Sequence, residues 1–132
     1  MDSLKSFLYP VRKGTRKFPV SNAFRDEEGN VIEWELRELT SQEALALQSE
    51  MATGNTNEII LTYAAESLVY PDLHDAELLK GLSEREGRPI LKAKDALVAL
   101  TTDAELARIY EVYLEHNRLN DDFDELVEEA KN

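Results

Sequence analysis

Two short segments of this 132-residue chain crowd together side chains that can hold a metal ion. Asp72-x-His74-Asp75-x-Glu77 sets three carboxylates and an imidazole side by side. That mixture of oxygen and nitrogen donors suits a divalent metal. Asp121, Asp122 and Asp124 offer oxygen ligands of the kind that calcium takes. The central glycine and the closing glutamate of an EF-hand loop are absent from that spacing. Both segments also have simpler readings. Asp75 is placed to cap a helix after Pro71, and the carboxylates at 121–124 suit a helix start, where the macrodipole favours negative charge.

Catalytic constellations are otherwise missing. His74 and His116 are the two histidines and lie far apart, and there is no cysteine nucleophile. The five glycines, at 14, 29, 54, 81 and 87, form neither a phosphate loop nor a dinucleotide fingerprint. Paired carboxylates abound, but in so acidic a chain they single out no general acid or base. The sequence therefore predicts no enzyme, no metal and no cofactor, and a mechanism of stoichiometric binding without turnover.

The strongest binding feature lies at 121–132, NDDFDELVEEAKN being its full run from Asn120. Phe123, Leu126, Val127 and Ala130 recur at i, i+3, i+4 and i+7, one narrow apolar stripe on a charged helix. Asp121, Asp122 and Glu125 surround it. Such a short helix is marginal alone, so its stripe needs something to pack on. Two outcomes compete: the stripe closes the protein's own helical bundle, or it docks on another chain in the helix-in-groove manner. The candidate partner-binding residues are accordingly Asp121, Asp122, Phe123, Glu125, Leu126, Val127 and Ala130. A basic stretch from Arg12 to Lys17 is a second, weaker candidate.

The rest of the chain positions these ends. Leu4, Phe7 and Leu8 make a small apolar face that Pro10 stops. Residues 1–17 read as a flexible basic arm, and residues 18–132 as one mainly helical domain. Phe18-Pro19-Val20 predicts a short strand, with Pro19 marking a sheet edge. Residues 26–30, DEEGN, are turn chemistry. From Val31 to Leu39 the chain alternates, with Ile32, Trp34 and Leu36 on one side and Glu33, Glu35 and Arg37 on the other. A small antiparallel element over about 18–39 results, and helices must cover it. Those helices are expected from Thr40 to about Met51, over about 57–69, from Asp75 to about Glu84, over Lys92–Leu100, and after Thr102. Thr40 with Glu43 and Thr102 with Glu105 are capping boxes. The helix after Thr102 carries the stripe Leu106, Ile109, Tyr110, Tyr113 and Leu114. The fold class is thus α+β, mainly α, with a small β element followed by a helical bundle.

Charge narrows the partners. The formal net charge is −12, unevenly spread. Residues 1–25 carry six basic side chains against one acidic, while the remainder carries nine against 26. An acidic body of this kind disfavours binding to nucleic acid, which needs positive charge. It maintains solubility and steers the chain toward basic partners. The longest purely apolar stretches span a few residues, too short for a membrane helix, and the start lacks the apolar stretch of a signal peptide. The protein is expected to remain where it is made, away from membranes.

A family likeness adds to this reading. Phe18-Pro19-Val20-Ser21, Phe24 through Asn30, Trp34 through Thr40, the Pro71-Asp72-Leu73 turn leading into Asp75 through Leu78, and the ending from Asp121 to Asn132 occur in an order that resembles the XkdN-like tail assembly chaperones. These belong to long-tailed phages and PBSX-type defective prophages of Gram-positive bacteria. The resemblance spans nearly the whole chain, and residues 81–95 depart from it. It implies a protein of the bacterial host cytoplasm that binds the tape-measure protein during tail assembly, with tail-tube protein as a second candidate partner. Such a protein keeps its client soluble, is absent from the finished virion, and can self-associate. Ala130-Lys131-Asn132 is also compatible with a GCA-AAA-AAC coding run, which contains the slippery heptamer of a −1 frameshift. Two rival readings compete. One is an acidic regulator that mimics nucleic acid and occupies a host DNA-binding protein, for which the apolar stripe at 123–130 has little use. The other is a metal-dependent hydrolase built on the 72–77 cluster.

Overall fold

Trp34 and Leu36 seed the fold. They alternate with Glu33, Glu35 and Arg37 on one strand and bury all but 2% and 0% of their surfaces. Each such side chain removed from water contributes about 1.5–3 kcal/mol. The structure is a computed structural model that describes residues 3–51 and 54–131. Its elements are α1 (Ser3–Leu8), β1 (Thr15–Pro19), β2 (Glu33–Arg37), α2 (Ser41–Glu50), α3 (Thr56–Ser67), β3 (Leu68–Tyr70), α4 (Ala76–Glu86), α5 (Ala93–Leu100), α6 (Asp103–Asn117) and α7 (Phe123–Lys131). The architecture is α+β and mainly helical, with one small antiparallel sheet.

The sheet order is β1-β2-β3. Phe18 stands opposite Trp34 across β1 and β2, and Leu36 opposite Leu68 across β2 and β3. The turn between β1 and β2 is held by its own polar groups. Asp26 Oδ1 accepts from the N–H groups of Glu28 and Asn30, both at 2.9 Å, and Gly29 takes a φ of 87° that favours glycine. Phe24 packs edge-on against Trp34 with ring centroids 5.0 Å apart. Such a pair adds to plain burial.

Three boundaries differ from the sequence expectation. β1 begins at Thr15, so the sheet takes in residues from the segment read as a basic arm. The pairing reaches them because Thr15 and Arg16 have partners waiting in Arg37 and Leu36. The third strand lies outside 18–39, at Leu68–Tyr70. The helix expected over 57–69 stops at Ser67 because Leu68 and Tyr70 extend to pair with Leu36 and Glu35 of β2. On α6 the buried residues are Ile109, Val112, Tyr113 and His116, while Leu114 is 50% exposed. The face against the body is rotated away from Leu114.

Both capping boxes form. The Thr40 hydroxyl accepts from Glu43 N at 3.1 Å, and the Thr102 hydroxyl accepts from Glu105 N at 3.2 Å. Each such cap is worth about 1 kcal/mol. In the stretch that departs from the family pattern, Gly87 ends α4 with a φ of 70°. The Ser83 hydroxyl then accepts from Ile90 N at 2.9 Å, and Ile90 is fully buried. α3 lies at the centre of the helical layer and touches α2, α5 and α6; α4 packs on α5, and α6 meets β2. Among the described residues, no helix is long and apolar enough to cross a membrane.

Candidate partner-binding site

The last helix forms because its start is capped. Asp122 Oδ1 accepts from Asp124 N at 2.9 Å and Glu125 N at 3.2 Å, meeting amide donors that a helix start leaves open. Asp124 and Glu125 sit in its first turn, and Lys131 in its last, each suited to the local dipole. Every residue from Arg118 to Lys131 is exposed.

The apolar stripe faces water. Phe123 is 76% exposed, Leu126 46% and Val127 37%. All seven residues predicted to bind a partner fall on α7 or on the cap before it. The stripe does not close the protein's own bundle in this structure; an unpartnered helix face is what remains. Its flanks are acidic, through Asp121, Asp124, Glu125, Glu128 and Glu129. Such a surface has the geometry to take an apolar, basic-flanked helix.

A network fixes where α7 leaves the body. Lys13 Nζ donates to the carbonyl oxygens of His116 at 2.8 Å and Arg118 at 2.6 Å. These are end-of-helix carbonyls of α6, where a cation is favoured. His116 Nε2 donates to the Gly14 carbonyl at 2.8 Å. Asn117 Oδ1 accepts from Leu39 N at 2.8 Å. Arg16 pairs with Glu115 at 2.9 Å, and this guanidinium holds the Glu115 carboxyl below its usual range. The start of the sheet and the end of α6 thus share one corner. Sequence reasoning missed Lys13 as an anchor. Nothing local marks it, since its partners lie more than a hundred residues away.

A second exposed apolar face leaves the same corner. On α1 and just after it, Leu4 is 74% exposed, Phe7 81%, Leu8 62% and Tyr9 77%. The basic stretch itself divides: Lys13 and Arg16 are tied into the body, while the apolar residues lie upstream.

The metal-like cluster is arranged differently. His74 Nε2 meets Glu66 at 2.7 Å, and Asp72 Oδ1 accepts from His74 N at 2.9 Å. Asp75 Oδ1 accepts from Leu78 N at 3.0 Å as the cap of α4. Glu66 and His74 border a half-open cavity of about 220 Å³, together with Leu47, Met51, Thr62 and Lys94. Among the described residues, no three His, Asp or Glu side chains come together as a metal site requires. The strongest acid perturbation is structural. Arg37 clasps Glu43 through two bonds, at 2.9 Å and 2.7 Å, pinning α2 to β2. The guanidinium, aided by the Thr40 amide, lowers the Glu43 carboxyl to about 2. Burial raises the Tyr113 phenol to about 12, as expected of a core tyrosine.

Known proteins resemble this chain over most of its length. The family described as phage XkdN-like tail assembly chaperone protein matches residues 4–131. The phage-like element PBSX protein XkdN of Bacillus subtilis is 30% identical over 128 residues, covering 88% of this chain and 83% of that protein. The uncharacterized protein YqbN of the same organism is 29% identical over 126 residues, covering 86% of this chain and 81% of its own. A crystal structure of YqbN shares the fold with a TM-score of 0.68 and 23% identity, covering 87% of this chain and 96% of that one.

Proposed function

The chain belongs to the phage XkdN-like tail assembly chaperone family, and from that premise we propose that it binds the tape-measure protein and keeps it soluble until tail-tube subunits surround it. The observation that carries this reading is α7, a capped amphipathic helix whose apolar stripe has no partner within the fold. A long helical client with exposed apolar patches aggregates unless those patches are covered. The Phe123, Leu126, Val127 and Ala130 stripe supplies the cover, and the carboxylates around it supply solubility. Phe123 is the anchor, since aromatic side chains dominate interfaces of this type.

The contact is reversible by design. A single short helix face buries far less than the 1,200–2,000 Å² of a stable complex, at about the lower end of interface sizes. Weak binding fits a protein that must give its client up, act in the host cytoplasm and stay out of the finished particle. No covalent step or cofactor enters.

Coexpression with the tape-measure protein from the same phage tests the proposal. The client is expected to become soluble and to copurify with this chain, and Leu126→Asp is expected to abolish both. A client that stays insoluble beside well-folded chaperone, or that copurifies equally with the variant, overturns the role assigned to α7.

A further inference from the structure

α1 and α7 both present exposed apolar side chains and differ in charge. α1 carries one charged side chain, Lys5, with Arg12 four residues past its end, whereas carboxylates flank the stripe of α7. They also start from one corner, because Lys13 is bonded to the carbonyl oxygens of His116 and Arg118. The tethers match. Leu8 lies five residues before Lys13, and Phe123 lies five residues after Arg118. Each apolar face therefore has a reach of about 17 Å from the shared anchor. α1 runs toward that anchor and α7 runs away from it, so a side-by-side pairing is antiparallel. In that pairing Leu8 falls beside Phe123, and Leu4 beside Leu126 and Val127.

We propose that α1 folds onto the α7 stripe within the same chain, as a built-in stand-in for the client, and that a client helix must displace it. Tethering two weakly attractive helices at one point gives an effective concentration in the mM range, which favours closure within the chain over pairing between chains. Closure would hide Leu4, Phe7, Leu8, Phe123, Leu126 and Val127 from water while no client is present. The client must then outcompete α1, so its affinity is reduced by the fraction of molecules already closed. The displacement step rests on the client reading above; the closed contact does not.

The chain has no cysteine, so an introduced pair reports cleanly. Leu4→Cys with Val127→Cys leaves Phe7, Leu8, Phe123 and Leu126 in place, and both substitutions are at exposed positions. Mild oxidation of this full-length double variant, without any client, is expected to give a disulfide-closed monomer that runs fast on a non-reducing gel. Leu4→Cys with Leu45→Cys, the second position lying exposed on α2, sets the rate of chance collision. A closed monomer no more frequent than in that control overturns the proposal, and so does a product that is mainly disulfide-linked dimer. Client binding is then measured on full-length Phe7→Asp. A gain of about tenfold in affinity is expected if nine in ten free molecules are closed. Closure without client binding keeps the α1–α7 contact and rejects the tape-measure reading. Client binding unchanged by Phe7→Asp rejects displacement.

Discussion

α6 and α7 are neighbours in the chain and both are amphipathic, yet they meet opposite fates. α6 buries Ile109, Val112, Tyr113 and His116 against the sheet and α3. α7 segregates its apolar and charged residues more sharply and buries none of them. An apolar stripe thus states that a helix needs a partner, but not which chain supplies it. What decides is the corner at residues 115–118. Arg16, Lys13, Gly14 and Leu39 all bond there, and every residue from Arg118 to Lys131 is exposed.

The contrast can be broken first in the body. Ile109→Ala empties a fully buried site and is expected to cost about 2–5 kcal/mol in denaturant unfolding. An effect below about 1 kcal/mol would place α6 outside the core. Asn117→Ala removes the acceptor of Leu39 N and the donor to Tyr113 O. It should cost about 1–3 kcal/mol, because a half-buried amide loses its partner.

A smaller effect sharpens the comparison through pH. Glu43 has a folded value of about 2 against an ordinary 4.5. Its contribution is therefore full above the ordinary value and is lost as pH falls through about 2. The wild-type chain should lose stability across that window, and Glu43→Gln should flatten that part of the profile. Glu105 and Glu115 are shifted the same way, so some slope remains. The Arg37 and Glu43 side chains are 37% and 38% exposed. Solvent screening then limits the loss at neutral pH to about 1 kcal/mol. Leu126→Asp should cost no more than about 1.4 kcal/mol by thermal unfolding, the closure free energy when nine in ten molecules have α1 on α7, despite its expected loss of client binding. A large drop in stability would show α7 packed on the body in solution.

Local chemistry was legible in the sequence. Thr40 and Glu43, Thr102 and Glu105, and the alternation around Trp34 each announce an element through contacts within a few residues. β3 was not legible, since Leu68 continues the helical spacing of Ile60 and Ala64 and becomes a strand only by pairing with Leu36. The choice of Val112 and His116 over Leu114 is likewise tertiary. Four stripe positions on one helix face were readable from spacing alone, whereas their exposure was not. Spacing records the shape of a face and carries no information about what stands opposite.

The shared corner also has a mechanical meaning. A client held by α7 while α1 is drawn the other way puts tension across Lys13 and its two carbonyl partners before it reaches any core residue. Past that point the load enters β1 at Thr15, opposite Arg37, at one end of an edge strand. Only beyond Thr15 would such tension reach Phe18, which is buried opposite Trp34 and joins the edge strand to the core.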